Sequence, residues 1–206
     1  PAWFNDVTTI DYLLARGATL EEARDYAVGG CVLHNLVGKT GNTWPSVMNF
    51  AKIFELSLNN GIDPRMNKRF GPETGDIIDF TYYEDFVEAF KKQSLHFIYD
   101  SVEYINKVRV HRTQVYPDIF LSAMFDDCII KGKSILSGGA RFLGNCQYVL
   151  PVGIVDVANS LYTIKKLVFE DKVITVKEMK EALDCNFKGK EDIKRLMDNV
   201  PKYGND

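Results

Sequence analysis

Two adjacent glycines precede a cysteine in the stretch Ala27-Val28-Gly29-Gly30-Cys31-Val32-Leu33-His34-Asn35, the segment whose residue types best fit chemistry. Paired glycines allow a tight backbone approach, so a small reactive side chain after them reads as presented on a loop tip. The competing reading is that Cys31, set among Val and Leu, is a small buried hydrophobe. His34 is the best-placed titratable neighbour. Its imidazole is either a proton carrier near neutral pH or a ring packed behind the loop. Leu33 and Asn35 are the candidates for the wall of a substrate pocket. Cys128, Cys146 and Cys185 lie far apart with no CxxC pair, so they read as reduced core thiols rather than as a disulfide framework, zinc ribbon or iron–sulfur motif. His34, His96 and His111 are scattered, and no metal site is expected. Asp126 and Asp127 adjoin Cys128 on an expected helix, where neighbouring positions face apart, and read as structural.

The elements that must position these groups are mostly helical. Three Thr-x-x-Glu strings, Thr19 to Glu22, Thr81 to Glu84 and Thr175 to Glu178, read as capping boxes that satisfy orphan amides at helix starts. The longest helix is expected from Tyr82 to Val108, with Leu95, Ile98, Val102 and Ile105 forming a core stripe at helical spacing. Other helices are expected over Val7 to Ala15, Val47 to Asn59, Ile119 to Lys131, Ile154 to Glu170 and Asp192 to Asn199. Strand character falls at Cys31 to Leu36, Ile77 to Phe80 and Arg141 to Leu150. Linkers are short and no repeat is found, so one domain, or part of one, is the simplest organisation.

The chain has 206 residues, 46% of them apolar and 12% aromatic, a composition that can bury a sizeable core. Its net charge of −3 offers no basic surplus for nucleic acid and no polybasic segment for an anionic membrane. No window approaches the length of a membrane span, and the start lacks a signal-peptide layout, so a cytoplasmic location with a small-molecule or protein partner is expected. Both ends read as cut: the chain opens on Pro1 and stops at Lys202-Tyr203-Gly204-Asn205-Asp206.

A longer pattern surrounds the cysteine. Pro1-Ala2-Trp3-Phe4-Asn5-Asp6 and Leu20-Glu21-Glu22-Ala23-Arg24-Asp25-Tyr26, leading into Gly30-Cys31-Val32, closely resemble the segment before the active cysteine of glycyl radical enzymes. Further blocks follow in the same order: Gly71-Pro72-Glu73-Thr74-Gly75-Asp76, Phe120 to Ala123 with Asp126-Asp127-Cys128, Gly138-Gly139-Ala140-Arg141, Asp156 to Leu161 with Lys165 to Val168, and Pro201 to Asp206. The resemblance covers essentially the whole chain and identifies it as pyruvate formate-lyase-like.

That resemblance implies an α/β fold: part of a ten-stranded β/α barrel in which a cysteine loop and a radical-glycine loop meet at the centre, this piece being mostly helical. Residues 1–206 would be an internal part of the barrel domain. The radical-glycine C-terminal domain is not present, since Gly204 sits in a Tyr-Gly-Asn string that does not match its motif. Cys31 takes the place of the thiyl-radical cysteine. No cofactor is expected in this piece. The glycyl radical lies elsewhere in the full chain, installed by a radical S-adenosylmethionine activating enzyme. The implied partners are a small organic substrate, that activating enzyme and a second copy in a homodimer, and the piece is not expected to turn over alone. The implied reaction is C–C or C–X bond cleavage or formation in anaerobic metabolism. The alternative is a noncatalytic relative or structural subunit.

One departure bears on subclass. Many members read Gly-Cys-Val-Glu-Pro, with the glutamate as base or hydrogen-bond partner, where this sequence has Leu33 and His34. Apolar Leu33 cannot move a proton. Val32 also excludes the adjacent cysteine pair of pyruvate formate-lyase itself. Arylacetate decarboxylases also place a glutamate there whereas fumarate-adding enzymes lack it, so its absence points toward the fumarate-adding group; the alternative subclass is a fumarate-adding synthase or an arylacetate-type decarboxylase rather than a dehydratase.

Overall fold

A computed structural model of the chain describes residues 4–29, 33–41, 46–142 and 149–204. Its backbone contacts divide it into two compact units, one formed by residues 1–46 and 104–148, the other by residues 47–103 and 149–206.

The first unit opens with helix α1 (Asp6–Ala15), whose amides at Val7 and Thr8 are capped by Asn5, followed by the short α2 (Leu20–Arg24). The Thr19–Glu22 capping box is fully formed at the start of α2. Strands β1 (Tyr26–Gly29) and β2 (Leu33–Leu36) then make an antiparallel hairpin. Leu13, Ala18, Ala23 and Leu36 form the buried cluster beneath it, with Phe142 packed alongside. In the same unit, α5 (Ile119–Ala123) and α6 (Cys128–Lys131) stand where one helix is expected. Asp127 takes a left-handed backbone with φ of 72°, which interrupts the helical run.

The second unit holds the larger core. Strand β3 (Ser46–Asn49) leads into α3 (Phe50–Leu58), so the run expected as one helix from Val47 begins as strand; Asn49 marks the change by accepting from the Lys52 amide. The short strands β4 (Ile62–Asp63) and β5 (Lys68–Arg69) pair with each other, and β6 (Val149–Val152) pairs with β3. Helix α7 (Ile154–Ile164) continues into a π-helical turn over Lys165–Glu170, followed by α8 (Val176–Asp184) and α9 (Glu191–Asp198). Phe54, Ile77, Phe86, Ile164 and Met179 are among the buried side chains that pack together there. The expected strand at Ile77 to Phe80 is instead a 3₁₀ turn over Ile77–Asp79, because Asp76 accepts from the Ile78 amide and starts a helical turn.

The block 71–76 is held from two sides. Asn60 Oδ1 accepts from the amides of Thr74 (2.8 Å) and Gly75 (2.9 Å), while the buried Gln93 Nε2 donates to the Pro72 carbonyl at 2.7 Å. Gly61 makes this possible: its φ is +77°, and a β-carbon there would lie 2.5 Å from the Pro72 carbonyl oxygen.

Helix α4 (Tyr83–Val115) is longer than expected, running past Val108 to within two residues of Pro117. Its start also differs. The Tyr82 amide donates to Asp85 rather than the Thr81–Glu84 pair closing a box, because the first helical residue is one position later than the string implies. At 33 residues it is about 50 Å long. Its fully buried residues, Phe86, Ala89, Gln93 and Ser94, lie in the first turns, whereas the expected core stripe is only partly covered, with Ile98 and Ile105 half-buried and Leu95 at 50% and Val102 at 45% exposure.

The six strands pair two by two among the described residues, so the closed barrel implied by the resemblance is not formed within this piece. Among the described residues, no helix is long and apolar enough to cross a membrane. The expected strand region 141–150 is met by a parallel bridge of Phe142 to Thr40 and by the start of β6, and residues 143–148, Cys146 included, lie outside the described residues.

Candidate functional site

The hairpin brackets the candidate cysteine. Its register pairs Tyr26 with Leu36, Ala27 with Asn35, Val28 with His34 and Gly29 with Leu33, and the three residues joining the last pair are Gly30, Cys31 and Val32. Those three, Cys31 included, lie outside the described residues. Strand β1 was not expected. Gly29 and Ala27 give little pattern of their own, and only pairing with β2 makes the segment extended.

Directly opposed residues of an antiparallel pair share a face. Gly29, Leu33, Ala27 and Asn35 therefore lie on one face, and Val28, His34, Tyr26 and Leu36 on the other. The structure brings Leu33 and Asn35 together and places His34 on the opposite side. A β-carbon on Gly29 would fall 2.2 Å from Asn35 Nδ2, so the glycine is what lets the amide of Asn35, two pairs below the closing Gly29–Leu33 pair, reach over the strand.

His34 sits edge-on to two rings, with centroids 4.7 Å from Tyr12 and 5.8 Å from Phe4. Among the described residues its buried Nδ1 has no hydrogen-bond partner, and burial pushes its pKa below the ordinary imidazole value, so the neutral form is favoured. Tyr12 and Phe4 were not singled out from sequence, since aromatic residues on a short helix and its approach carry no local sign of a long-range partner.

At its base, the hairpin is tied to the segment around Arg141. The Leu36 amide donates to Thr40 Oγ1 at 2.9 Å, Gly41 N to the Phe142 carbonyl at 2.8 Å, and Phe142 N back to the Lys39 carbonyl at 2.9 Å. Glu22, while closing the α2 capping box, accepts from Lys39 at 2.8 Å and from Arg141 at 3.2 Å. On its other side Arg141 reaches Asp127 at 3.0 Å. Cys128 is a buried core thiol with its pKa pushed up by burial, as expected, whereas Cys185 is exposed rather than buried.

The Lys39 hydrogen bond, with the Thr19 amide next, lowers the Glu22 pKa from 4.5 to about 2. A carboxylate with a depressed pKa contributes stability that is complete above its unfolded value and lost as pH falls toward its folded one. The base of the hairpin is therefore expected to stay tied throughout the neutral range and to loosen only between pH 4.5 and about 2. Amide protection factors at Leu36 and Thr40, followed from pH 7 downward, check this. Loss of protection already above pH 5.5 would contradict it.

Among the described residues, no group of three or more His, Cys, Asp or Glu is arranged to hold a metal ion. The larger unit contains a cleft of about 890 Å³ that includes Arg65, Asp156 and Lys180. None of the residues singled out for chemistry lies there.

All 206 residues match the model of the pyruvate formate lyase-like family. The chain belongs to this family. Trans-4-hydroxy-L-proline dehydratase of Clostridioides difficile is 41% identical over 208 residues, which cover 100% of this chain and 26% of that protein. The crystal structure of hydroxyproline dehydratase from the same organism, with trans-4-hydroxy-L-proline bound, matches with a TM-score of 0.92 at 40% identity, over 100% of this chain and 26% of that one. A glycyl radical enzyme from Archaeoglobus fulgidus matches with a TM-score of 0.81 at 30% identity, over 97% of this chain and 25% of that one. This pyruvate formate lyase-like chain thus spans about a quarter of the length of the relatives it matches.

Proposed function

We propose that the full protein is a glycyl radical lyase and that Cys31 is its hydrogen-abstracting residue. The observation that supports this most directly is the family match over residues 1–206 combined with the hairpin register, which puts Cys31 among the three residues joining the paired Gly29 and Leu33. The chemistry requires a side chain with a homolytically weak, polarizable bond, and cysteine alone supplies one. A glycyl carbon radical takes the hydrogen of the Cys31 S–H bond. The sulfur radical then takes hydrogen from a substrate carbon, so that S–H re-forms, C–H breaks and the unpaired electron passes to the substrate. After the substrate radical has lost a neighbouring group, the product radical takes the hydrogen back from the same S–H, and the sulfur radical left on Cys31 would take hydrogen from the glycine, restoring the starting state. Neither a depressed thiol pKa nor an adjacent base is needed, in contrast to a nucleophilic cysteine.

As to subclass, the similarity to a dehydratase favours elimination from a small organic substrate over the fumarate-adding or arylacetate-decarboxylating alternatives. In that reading Leu33 and Asn35 face the substrate, Asn35 through its amide and Leu33 through apolar surface, and proton transfer falls to a group other than Leu33. The reading carries with it a radical S-adenosylmethionine activating enzyme, a homodimer and a cytoplasmic location.

Anaerobic treatment of the full-length protein with an activating enzyme and S-adenosylmethionine tests the proposal. A glycyl radical signal in electron paramagnetic resonance, with consumption of trans-4-hydroxy-L-proline or a small polyol from a substrate panel, is the expected result. Absence of any radical under conditions that activate a family member would favour the noncatalytic alternative.

His34 packs by its ring in this reading. His34→Gln in the activated protein is expected to leave the pH profile of kcat between 6 and 8 unchanged. A fall of about 10²-fold together with loss of a pH limb would instead assign it proton transfer.

A further inference from the structure

We infer that Arg141 is a positioning residue for Cys31, acting by fixing the angle at which the cysteine hairpin leaves the body of its unit; this rests on the reading of Cys31 above. Arg141 is 110 positions away from Cys31 in the sequence, but its guanidinium lies between Glu22, at the start of α2 and immediately before the hairpin, and Asp127, at the start of α6. The planar fork suits this, since one nitrogen faces Glu22 at 3.2 Å while two others face the same Asp127 oxygen at 3.0 and 3.3 Å. Glu22 is doubly fixed, because its second oxygen accepts from the Thr19 amide at 2.9 Å. The backbone bonds between Phe142 and the residues after β2 hold the other side of the same junction.

The carboxylates are mostly covered, the Glu22 and Asp127 side chains being 15% and 21% exposed, and Glu22 is shared with Lys39, so the pairs form a network that holds one geometry as well as adding stability. Near its far end Val28 is 55% exposed while its pair partner His34 packs on Tyr12 and Phe4, so the ties at the base act together with that ring contact in setting the direction of the hairpin. From the Tyr26–Leu36 pair to the Gly29–Leu33 pair is three residues, about 10 Å at strand rise. A tilt of about 6° at the base then moves the far end by about 1 Å, an error that costs a reacting group about 10²-fold in rate.

Arg141→Gln, Arg141→Lys and Glu22→Gln in the activated full-length protein test this, with Cys31→Ala as control. Glu22→Gln is informative because glutamine still closes a capping box while losing the charge that faces Arg141 and Lys39, whereas the Arg141 variants leave the Lys39 pair in place. The readouts are kcat per glycyl radical spin, KM, and the deuterium isotope effect on kcat with substrate labelled at the abstracted position. The expected result is a fall in kcat per spin of about 10²-fold for Arg141→Gln and about 10-fold for the two milder variants, with KM within about threefold and a larger isotope effect as hydrogen abstraction becomes limiting. A purely structural role would lower radical yield and total activity together, leaving kcat per spin and the isotope effect at parental values, and would overturn the inference. If Arg141→Gln does not fold, the same two readouts on Arg141→Lys and Glu22→Gln decide. Appreciable turnover in Cys31→Ala would overturn the underlying reading instead. An inactive Cys31→Ala beside fully active Arg141 and Glu22 variants would overturn this inference alone.

Discussion

Cys31→Ala in the activated full-length protein is expected to abolish turnover while the glycyl radical signal persists at parental intensity. The two halves of the result have different causes. In the proposed reading the radical is stored elsewhere in the full chain, so removing a sulfur from the cysteine hairpin does not prevent its installation. Passing that radical to substrate needs a bond weak enough to exchange hydrogen in both directions, and the alanine methyl has none. Among the described residues, Leu33 has no exchangeable hydrogen and His34 lies on the opposite hairpin face among Tyr12 and Phe4, so neither replaces it. Cys128 is no substitute either, buried in a separate cluster with Ile135 and Ala140. Electron paramagnetic resonance paired with a product assay checks both halves, and residual turnover above a few per cent would exclude Cys31 as the abstracting group.

The largest effect on the scaffold is expected at Phe86, the side chain through which α4 enters the larger core. It is fully buried and sits edge-on to Phe54 with centroids 5.6 Å apart, in a cluster that includes Ile77, Ile164 and Met179. Phe86→Ala removes that ring and leaves a cavity, at a cost of about 3–5 kcal/mol. The slowest-exchanging amides of α3 and α7 are then expected to exchange about 10²- to 10⁴-fold faster in the full-length protein, because opening of this unit becomes easier by that free energy. Less than a tenfold change would mean that packing from elsewhere in the full chain, not this cluster, holds α4 in place. The equivalent truncation at Leu95, which is half exposed in this chain, reports on that other packing. A large effect there would show that the rest of the protein covers the α4 stripe.

That stripe shows where sequence and structure part company. The period of Leu95, Ile98, Val102 and Ile105 correctly marks a helix with one apolar side, but periodicity does not say whether the covering surface belongs to the same stretch of chain. Similarly, the helical pattern from Ile119 to Lys131 is real, yet its continuity fails at Asp127, whose left-handed backbone lets its carboxylate meet Arg141. The strand expected at Ile77 to Phe80 failed for a local reason, since Asp76 can accept from an amide two residues on and so competes with extended pairing.

For the site, local chemistry was legible and geometry was not. The Gly29-Gly30-Cys31 string, its ordered companions along the chain and the Thr19–Glu22 and Thr175–Glu178 boxes are fixed by residue type and short spacing, so sequence by itself determined the family, the helix-rich character and the candidate cysteine segment. Tertiary structure alone decided that β1 forms at all, that Asn35 lies over Gly29 while His34 turns the other way, and that Glu22 and Arg141 meet across 119 residues. The physical reason is the range of the forces involved. Capping and helical periodicity are satisfied within about four residues, whereas strand register, face assignment and ion-pair partners depend on what folding brings alongside, which no local pattern encodes.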